Sequence, residues 1–272
     1  KWWIYESLKN FKFDLEKYNV NLEIASYNTY QDFFEKYSKK KLSFYWNKIY
    51  EPDYINFDRK ISKFLKNKNV SYKIFKGNIL NEYQEVTKKD NTPFKVFTHF
   101  WNTAEQIYIK KEFRKKISLK KSFKKIKILE SSNKLETILP KKNWFKKFHN
   151  YWTPSEKKGL EILNNFVENQ IMNYGENRDI PGVFGTSRIS PYLANGQINV
   201  ETAWDVCENT KSKSRGYRKY INELGWREFS HSLINYFPSM LKGNLRKEFD
   251  NFPWVKNNQH LIAWKKGFTG YP

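Results

Sequence analysis

The sequence has little of what metal sites and hydrolytic centres require. Its one cysteine, Cys207, excludes an internal disulfide or a cysteine-only metal site and favours a reducing cytosol, and we expect it to be buried. The four histidines are scattered, no pair has the i,i+4 spacing of a helical metal site, and neither HExxH nor CxxC occurs. A P-loop is also absent, because Gly-Lys-Ser/Thr does not occur. We therefore expect no metal and no common hydrolytic chemistry.

Long hydrophobic runs are absent and negative charge is scarce. No window approaches about 18 consecutive apolar residues, so we expect a soluble protein that does not cross a membrane. The 272 residues carry 50 Lys and Arg against 28 Asp and Glu, a formal net charge of +22. Such a charge attracts polyanions, with nucleic acid as the leading partner class and a membrane surface as the second. A lysine-rich habit of the source genome is the alternative explanation.

Residues 1 to about 80 alternate between helical and strand patterns. Apolar spacing predicts helices at 2–18, 29–40 and 54–68, followed by strands at 20–27, 41–46 and 70–75. Alternating elements of this kind form βαβ units around a parallel sheet, so we predict a partial Rossmann-like α/β domain. Three strands are few for such a sheet, and we expect earlier strands to be missing.

The rest of the chain divides into a connector and a helical region. Residues 81–150 form a lysine-rich stretch that suits DNA steering, with a solvated linker as the alternative; its aromatic part, TPFKVFTHFW, should be packed. From about 151 to 272 the periodicity is helical. Thr153 as N-cap, Pro154 at the first helical position and Glu156 three residues after the cap predict a helix start. The fold class is therefore α/β followed by all-α.

The stretch PGVFGTSRISPYLANGQI contains a turn that suits an anion. Ser190 and Pro191 predict the N-cap and first position of a helix, whose unpaired backbone N–H groups would be exposed. Thr186, Ser187 and Arg188 add hydroxyl groups and a guanidinium beside them. A diphosphate would fit there; an ordinary capped turn with a surface arginine is the alternative for this motif alone.

Several motifs together resemble the photolyase/cryptochrome family. YGENRDIPGVFGTSRISPYLANGQI is followed by ELGWREF and then by FDNFPWVKNNQHLIAWKKGFTGYP. Their order and spacing are similar to those of the family's flavin-binding helical domain. YEPDYINFDRKISKFL and FKVFTHFW resemble the end of the family's α/β antenna domain and the connector after it. The resemblance implies part of an antenna-chromophore domain over 1–80, a connector over 81–150, and an incomplete FAD-binding domain over 151–272.

The resemblance implies an FAD site on three segments of the chain. Its residues would be Tyr174, Thr186, Ser187, Arg188, Ile189, Ser190 and Tyr220. Gly182 and Gly185 would let the chain fold closely around the diphosphate. A second antenna chromophore, of folate or deazaflavin type, stays undetermined, because Leu241 stands near where some folate-binding relatives have cysteine.

The resemblance also implies a site for damaged DNA. Glu223 and Trp226 are three residues apart on one predicted helix and hence on one face, where the family's repair enzymes meet a flipped thymine dimer. Arg178 and Arg227 match DNA-facing arginines. Trp254 matches the outermost member of the tryptophan chain that passes electrons to the flavin. The alternative is that Trp226 is a core residue and Glu223 a surface acid.

These residues imply light-driven, FAD-dependent splitting of cyclobutane pyrimidine dimers in UV-damaged DNA, the reaction of deoxyribodipyrimidine photo-lyases. The motifs TSRIS and WRE favour a bacterial class I enzyme, which we expect to be a monomer of the cytosol or nucleoid. We expect the chain alone to bind FAD poorly and to be inactive, since further flavin residues would follow Pro272. A cryptochrome-like photoreceptor that binds FAD without repair, and a cofactor-free basic nucleic-acid-binding protein, remain alternatives.

Overall fold

The computed structural model describes residues 1–111, 119–122, 124, 126–129, 133–210 and 213–271. The helices in this part of the chain are α1 (Trp2–Glu16), α2 (Tyr30–Tyr37), α3 (Pro52–Asn67), α4 (Phe97–Ile109), α5 (Glu156–Asn169), α6 (Tyr174–Asn177), α7 (Ser190–Ala194), α8 (Val200–Glu208), α9 (Arg215–Tyr236) and α10 (Asn258–Lys266). The strands are β1 (Phe44–Asn47) and β2 (Tyr72–Phe75). Among these described helices, none is long and apolar enough to cross a membrane.

The two strands form a parallel sheet and are connected through α3. Phe44 pairs with Tyr72, and the register continues to the end of both strands. Alternate side chains of the sheet pack against α2 and α3, where Phe34, Ile61 and Leu65 form a small buried core. The strands predicted at 41–46 and 70–75 are confirmed, although β1 begins three residues later and ends one residue later than predicted and β2 begins two residues later. The α/β character of this region is confirmed as well.

The strand predicted at 20–27 is wrong, because the structure has no strand there. Polar side chains of this segment bind the backbone of a later one instead. Asn21 Nδ2 donates to the Ile126 carbonyl at 2.8 Å, and the Glu23 carboxylate accepts the backbone N–H groups of Ile128 and Leu129. The segment lines a groove of about 1000 Å³ and forms no ladder of backbone hydrogen bonds with β1. An alternating sequence pattern does not by itself provide a neighbouring strand to pair with, so the backbone groups of this segment find other partners.

The helices after residue 96 enclose the main hydrophobic core. Its buried members include Phe100, Trp101, Leu163, Phe166, Trp204 and Ile221. The all-α region expected from about 151 is therefore confirmed, and the aromatic stretch before it is packed as predicted. Cys207 lies in the same core, where burial raises the pKa of its thiol to about 12.

The helix α4, within the predicted connector, packs tightly on α9. A Cβ atom on Gly225 would lie 2.5 Å from the Trp101 ring, so glycine is required for this approach. Trp101 Nε1 donates to Asn222 Oδ1 at 3.1 Å, and Arg218 pairs with Glu105 at 2.7 Å. These contacts fix α4 against the helix that contains WREF.

The predicted start of α5 is wrong by two residues. The N-cap is Ser155, whose Oγ accepts the backbone N–H of Lys158 at 3.1 Å. Thr153 lies outside the helix, where its carbonyl accepts the hydroxyl of Tyr192 at 3.1 Å. A tertiary hydrogen bond thus holds Thr153 away from the capping position, and the reciprocal box predicted with Glu156 does not form.

Part of the predicted basic run, residues 112–118, 123, 125 and 130–132, lies outside the described residues. Residues 135–138 and 143–150 form 3-10 turns. In the described residues no group of three or more His, Cys, Asp or Glu side chains could hold a metal ion.

Candidate functional site

A cleft of about 1100 Å³ lies between the carboxyl ends of the two strands and one side of α9. The residues predicted to bind the cofactor all line it: Tyr174, Thr186, Ser187, Arg188, Ile189, Ser190 and Tyr220. Glu223 and Arg227, predicted to contact DNA, line it as well. The fold thus brings three separate segments of the chain to one site.

A glycine brings the turn at 185–190 close to the end of α6. A Cβ atom on Gly185 would lie 2.5 Å from Asn177, whereas one on Gly182 would meet no atom within 4 Å. The close approach therefore requires Gly185 and not Gly182. Arg188 adopts a φ of 54°, a left-handed conformation that costs a residue with a side chain about 1 kcal/mol. Its guanidinium lies 4.5 Å from the centroid of the Trp152 ring.

The turn presents hydroxyl groups to the cleft and anchors itself with an apolar side chain. Ile189 is 2% exposed and is the N-cap of α7, which no side chain caps. The prediction that the Ser190 hydroxyl caps this helix is therefore wrong. Ser190 is the first residue of the helix, and both Thr186 and Ser190 are exposed.

Two buried tyrosines form the wall behind the turn. The Tyr220 hydroxyl donates to Ser187 Oγ at 3.0 Å, and its ring meets Tyr174 edge-on with the centroids 5.2 Å apart. Burial raises the pKa of both phenols, so both stay neutral. The two tyrosines therefore join the turn to the aromatic core, through the hydrogen bond to Ser187 and through their ring contacts with each other and with Phe166.

Both arginines predicted to face DNA are paired with acids of α9. Arg178 binds the Glu223 carboxylate, which raises the pKa of Arg178, and its guanidinium lies 5.3 Å from the Tyr174 ring centroid. Arg227 Nη1 donates to Glu228 Oε1 at 2.9 Å. Arg178 and Glu223 remain partly exposed, at 26% and 35% of their side chains, so a ligand can reach both.

Two titratable residues beside the cleft were not predicted from the sequence. Glu228 is 5% exposed and accepts the backbone N–H of Leu80 at 2.7 Å; burial raises its pKa to about 7, although Arg227 counteracts this. Burial lowers the pKa of His231 to about 4, and the charge of Arg227 adds to the effect. Glu228 therefore joins α9 to the segment after β2 with a carboxyl group that titrates near neutrality.

The sheet side of the cleft was also missed. Lys48 and Tyr50 follow β1, and Gly77 and Asn78 follow β2. Asn78 joins the two sides, since its Nδ2 donates to the Leu193 carbonyl at 2.8 Å. The predicted parallel strands could have indicated these residues, because the carboxyl ends of parallel strands meet at one edge of a sheet and commonly form ligand sites.

Three predicted residues do not line the cleft: Arg178, which instead binds the Glu223 carboxylate, and the tryptophans Trp226 and Trp254. Trp226 is 47% exposed and stacks on Phe97, although it lies only three positions from Glu223. Trp254 is 78% exposed and contacts Phe252, with the ring centroids 4.8 Å apart. The structure therefore brings Glu223 to the cleft and places both tryptophans outside it.

Family models and curated relatives match this chain. The model for DNA photolyase matches residues 1–118, and the model for the FAD binding domain of DNA photolyase matches residues 220–272. The deoxyribodipyrimidine photo-lyase of Agrobacterium fabrum is 30% identical over 100% of this chain and 57% of its own length. Cryptochrome-2 of Arabidopsis thaliana is 24% identical over 100% of this chain and 47% of its own length. The chain thus spans about half the length of these relatives.

The fold gives the same relationship. A crystal structure of a bacterial class III photolyase from Agrobacterium tumefaciens matches with a TM-score of 0.86 and 29% identity, over 100% of this chain and 57% of that one. The class I assignment made from the motifs stays a prediction. From its two matching family models, its relatives and its fold, the chain belongs to the photolyase/cryptochrome family.

Proposed function

We propose that the protein carrying this chain repairs UV-damaged DNA with light, using FAD to split cyclobutane pyrimidine dimers. The observation that carries the proposal is the convergence of the cofactor residues predicted from three segments on one cleft. The relatives named deoxyribodipyrimidine photo-lyase support the same activity. Because the chain covers 57% of the Agrobacterium fabrum relative, the proposal concerns the whole protein.

The size of the cleft supports FAD as its ligand, and the chemistry of the turn supports the diphosphate as the group that binds there. Its volume of about 1100 Å³ suits a large ligand, and hydroxyl groups and a guanidinium converge on the turn. When bound, FAD would supply the light-excited electron donor, a chemistry that amino-acid side chains do not provide. The contribution of this chain is to bind and orient the cofactor and the DNA.

We assign the turn to the diphosphate and the two tyrosines to its support. Arg188 offers paired N–H donors to phosphate oxygens, and the Trp152 ring holds its guanidinium in place. Thr186 and Ser190 add exposed hydroxyls. Tyr220 orients the hydroxyl of Ser187 through their hydrogen bond, and the buried Ile189 fixes the turn to the core.

We assign the residues on and beside α9 to DNA. The Glu223 carboxylate would accept a hydrogen bond from a base edge, and the exposed indole of Trp226 would stack on the lesion. Arg178 and Arg227 would contact phosphates, supported by the net charge of +22. Trp254, exposed at the surface, would be the outermost residue of an electron path.

We further propose the organisation and context expected from the sequence. The divisions at 1–80, 81–150 and 151–272 follow the antenna domain, the connector and the FAD-binding domain of the family. We propose a class I enzyme that acts as a monomer in the bacterial cytosol. The second chromophore, of folate or deazaflavin type, is left unassigned.

Titration of FAD fluorescence with the chain tests the cofactor site. We expect weak binding, and Arg188→Gln should weaken it about tenfold, because a charge-assisted hydrogen bond to phosphate is lost. Arg215→Gln is the matched control, since Arg215 is exposed on α9 and does not line the cleft. Equal affinities of the wild-type chain and Arg188→Gln would contradict the assignment of the turn.

Blue-light repair of an oligonucleotide with one thymine dimer tests the activity of the whole protein. Loss of the dimer in the light and its persistence in the dark would support repair. Retained FAD without repair would indicate a cryptochrome-like photoreceptor, a reading favoured by the match to Cryptochrome-2. Salt-sensitive DNA binding without flavin would indicate a basic nucleic-acid-binding protein.

A further inference from the structure

Trp226 is stacked on a phenylalanine that comes from a different helix. The rings of Phe97 and Trp226 are nearly parallel, with an interplanar angle of 6° and centroids 3.8 Å apart. Phe229 meets both rings edge-on, with interplanar angles of 66° and 67° and centroid distances of 6.0 Å. One face of the indole is thus covered, while the side chain as a whole remains 47% exposed.

The stack follows from the way α4 packs on α9. Gly225 lets the Trp101 ring approach the α9 backbone, and the Trp101 indole donates to Asn222 one turn earlier on α9. Phe97 lies four residues before Trp101, one turn away on the same face of α4. The contact that locks Trp101 onto Gly225 therefore also carries Phe97 to the side chain of Trp226, the next residue of α9.

We infer that Phe97 is a positioning residue that holds the indole of Trp226 so that its uncovered face is available to stack on an extruded base. This inference rests on the proposed function, in which Trp226 contacts the lesion. Phe97 itself touches neither cofactor nor DNA in this scheme. It fixes one rotamer of an exposed aromatic side chain, which would otherwise lose conformational freedom when the base binds.

The geometry accounts for the position of Trp226 outside the cleft. The Glu223 carboxylate lines the cleft, while Trp226 lies on the neighbouring surface, where Phe97 covers it from the side of α4. A base extruded toward Glu223 would meet the indole at this boundary. Because aromatic stacking tolerates any base, the stacked rings of Phe97 and Trp226 suit a surface on which an extruded base can lie. Glu223 would supply the hydrogen bond to the edge of that base.

The first experiment compares binding of the chain to two oligonucleotides that differ only in one thymine dimer. Phe97→Leu should lower the ratio of damaged to undamaged affinity about fivefold, because the stacked support is lost while an apolar side chain remains. Phe97→Tyr keeps the ring and should restore the ratio. Phe94→Leu is the matched control, since Phe94 packs at the edge of the same core and contacts Phe100 instead of Trp226.

A wild-type ratio in Phe97→Leu would overturn the inference, and so would a higher ratio, which would mean that Phe97 blocks the face a base needs. The second experiment does not require DNA. In the chain labelled with 5-fluorotryptophan, the ¹⁹F signal of Trp226, assigned by its loss in Trp226→Phe, should be shifted by the ring current of Phe97. Phe97→Leu should abolish this shift, whereas Phe94→Leu should keep it.

The two experiments separate failure of the inference from failure of the proposed function. If wild-type chain binds both oligonucleotides equally while the ¹⁹F shift depends on Phe97, the lesion role of Trp226 fails and the positioning contact stands. If wild-type chain prefers the dimer and neither the ratio nor the ¹⁹F signal responds to Phe97→Leu, the positioning role alone is overturned. Thermal unfolding of each variant checks that the fold is retained.

Discussion

The two sides of the cleft stand on cores of very different size. The helical side rests on one large cluster that runs from Leu80 to Phe229, and Tyr174, Ile189 and Tyr220 are themselves buried members of it. The sheet side rests on a small cluster whose buried members are Phe34, Ile61 and Leu65. On the helical side the packing and the candidate site therefore share residues, whereas the sheet contributes strand ends and loops.

Specific polar contacts join the two sides. Glu228 of α9 accepts the backbone N–H of Leu80, and Asn78 binds both the Leu193 carbonyl and, at 2.6 Å, the Val200 backbone N–H. Each contact connects the segment after β2 to the helices. Because such contacts have defined geometry, the position of the strand ends depends on the helical side, and this can be tested.

Matched leucine truncations should separate the two cores most clearly. Leu163 and Leu65 are both 0% exposed, one in each core. We expect Leu163→Ala to lower the free energy of unfolding by about 4 kcal/mol and Leu65→Ala by about 2 kcal/mol, since a small core can collapse around a cavity more readily. Urea unfolding followed by circular dichroism measures both. Equal losses would contradict the contrast.

The contact between α4 and α9 gives the next largest effect. Gly225→Ala should destabilise the chain by about 2 kcal/mol, because the new Cβ would clash with the Trp101 ring. The cost of this clash should exceed the stabilisation that alanine gains from its higher helix propensity. Gly175→Ala is the control, since its Cβ would meet only ordinary contacts at 3.8 and 3.9 Å. If urea unfolding showed no change in the free energy of unfolding for Gly225→Ala, the Trp101 ring would have to shift at little cost to admit the new Cβ atom.

The contribution of the contacts between the two sides of the cleft to the unfolding free energy should depend on pH through Glu228 and His231, with opposite signs. Glu228 has its pKa raised to about 7 in the folded chain, so its contribution to stability falls as pH rises from about 4.5 to 7. His231 has its pKa lowered to about 4, so its contribution rises as pH increases from about 4 to 6.5. In the wild-type chain the two opposite changes of unfolding free energy with pH should largely cancel.

Removing either group should reveal the slope of the other. Between pH 5 and 6.5 we expect Glu228→Gln to gain stability with rising pH, and His231→Gln to lose it, each by about 1 to 2 kcal/mol. Urea unfolding at several pH values, with the double variant as control, measures the slopes. Parallel pH profiles for the two single variants would contradict the opposing pair.

The sequence predicted local features better than tertiary ones. The strands predicted at 41–46 and 70–75 form, as β1 and β2, because their alternating side chains have a core to face, and the turn residues reach one cleft because Ile189 and Tyr220 are buried. The 20–27 pattern was equally strand-like, yet its partners are backbone groups of 126–129, about a hundred positions away. Local periodicity cannot specify such a partner.

The site shows the same limit. The Ser190-Pro191 pair correctly indicated a helix start, but the N-cap is the preceding Ile189, an apolar residue buried in the core, which capping preferences alone do not predict. Trp226 was assigned to the face of Glu223 by spacing, and its stack with Phe97 depends on α4, more than a hundred residues earlier. Glu228 gave no signal as a site residue, because its raised pKa comes from tertiary burial.

The smallest predicted effect concerns a single hydrogen bond behind the turn. Tyr220→Phe keeps the ring in the core and removes the donor to Ser187, so we expect a loss of about 1 kcal/mol in unfolding free energy. Tyr45→Phe, at a residue of β1 that is 64% exposed, is the matched control and should be neutral. FAD affinity should fall in Tyr220→Phe alone, because the Ser187 hydroxyl is then free to rotate. If instead both variants were neutral in stability and affinity, the turn would be held by packing of Ile189 and Gly185, and the helical side would need no polar support at the cleft.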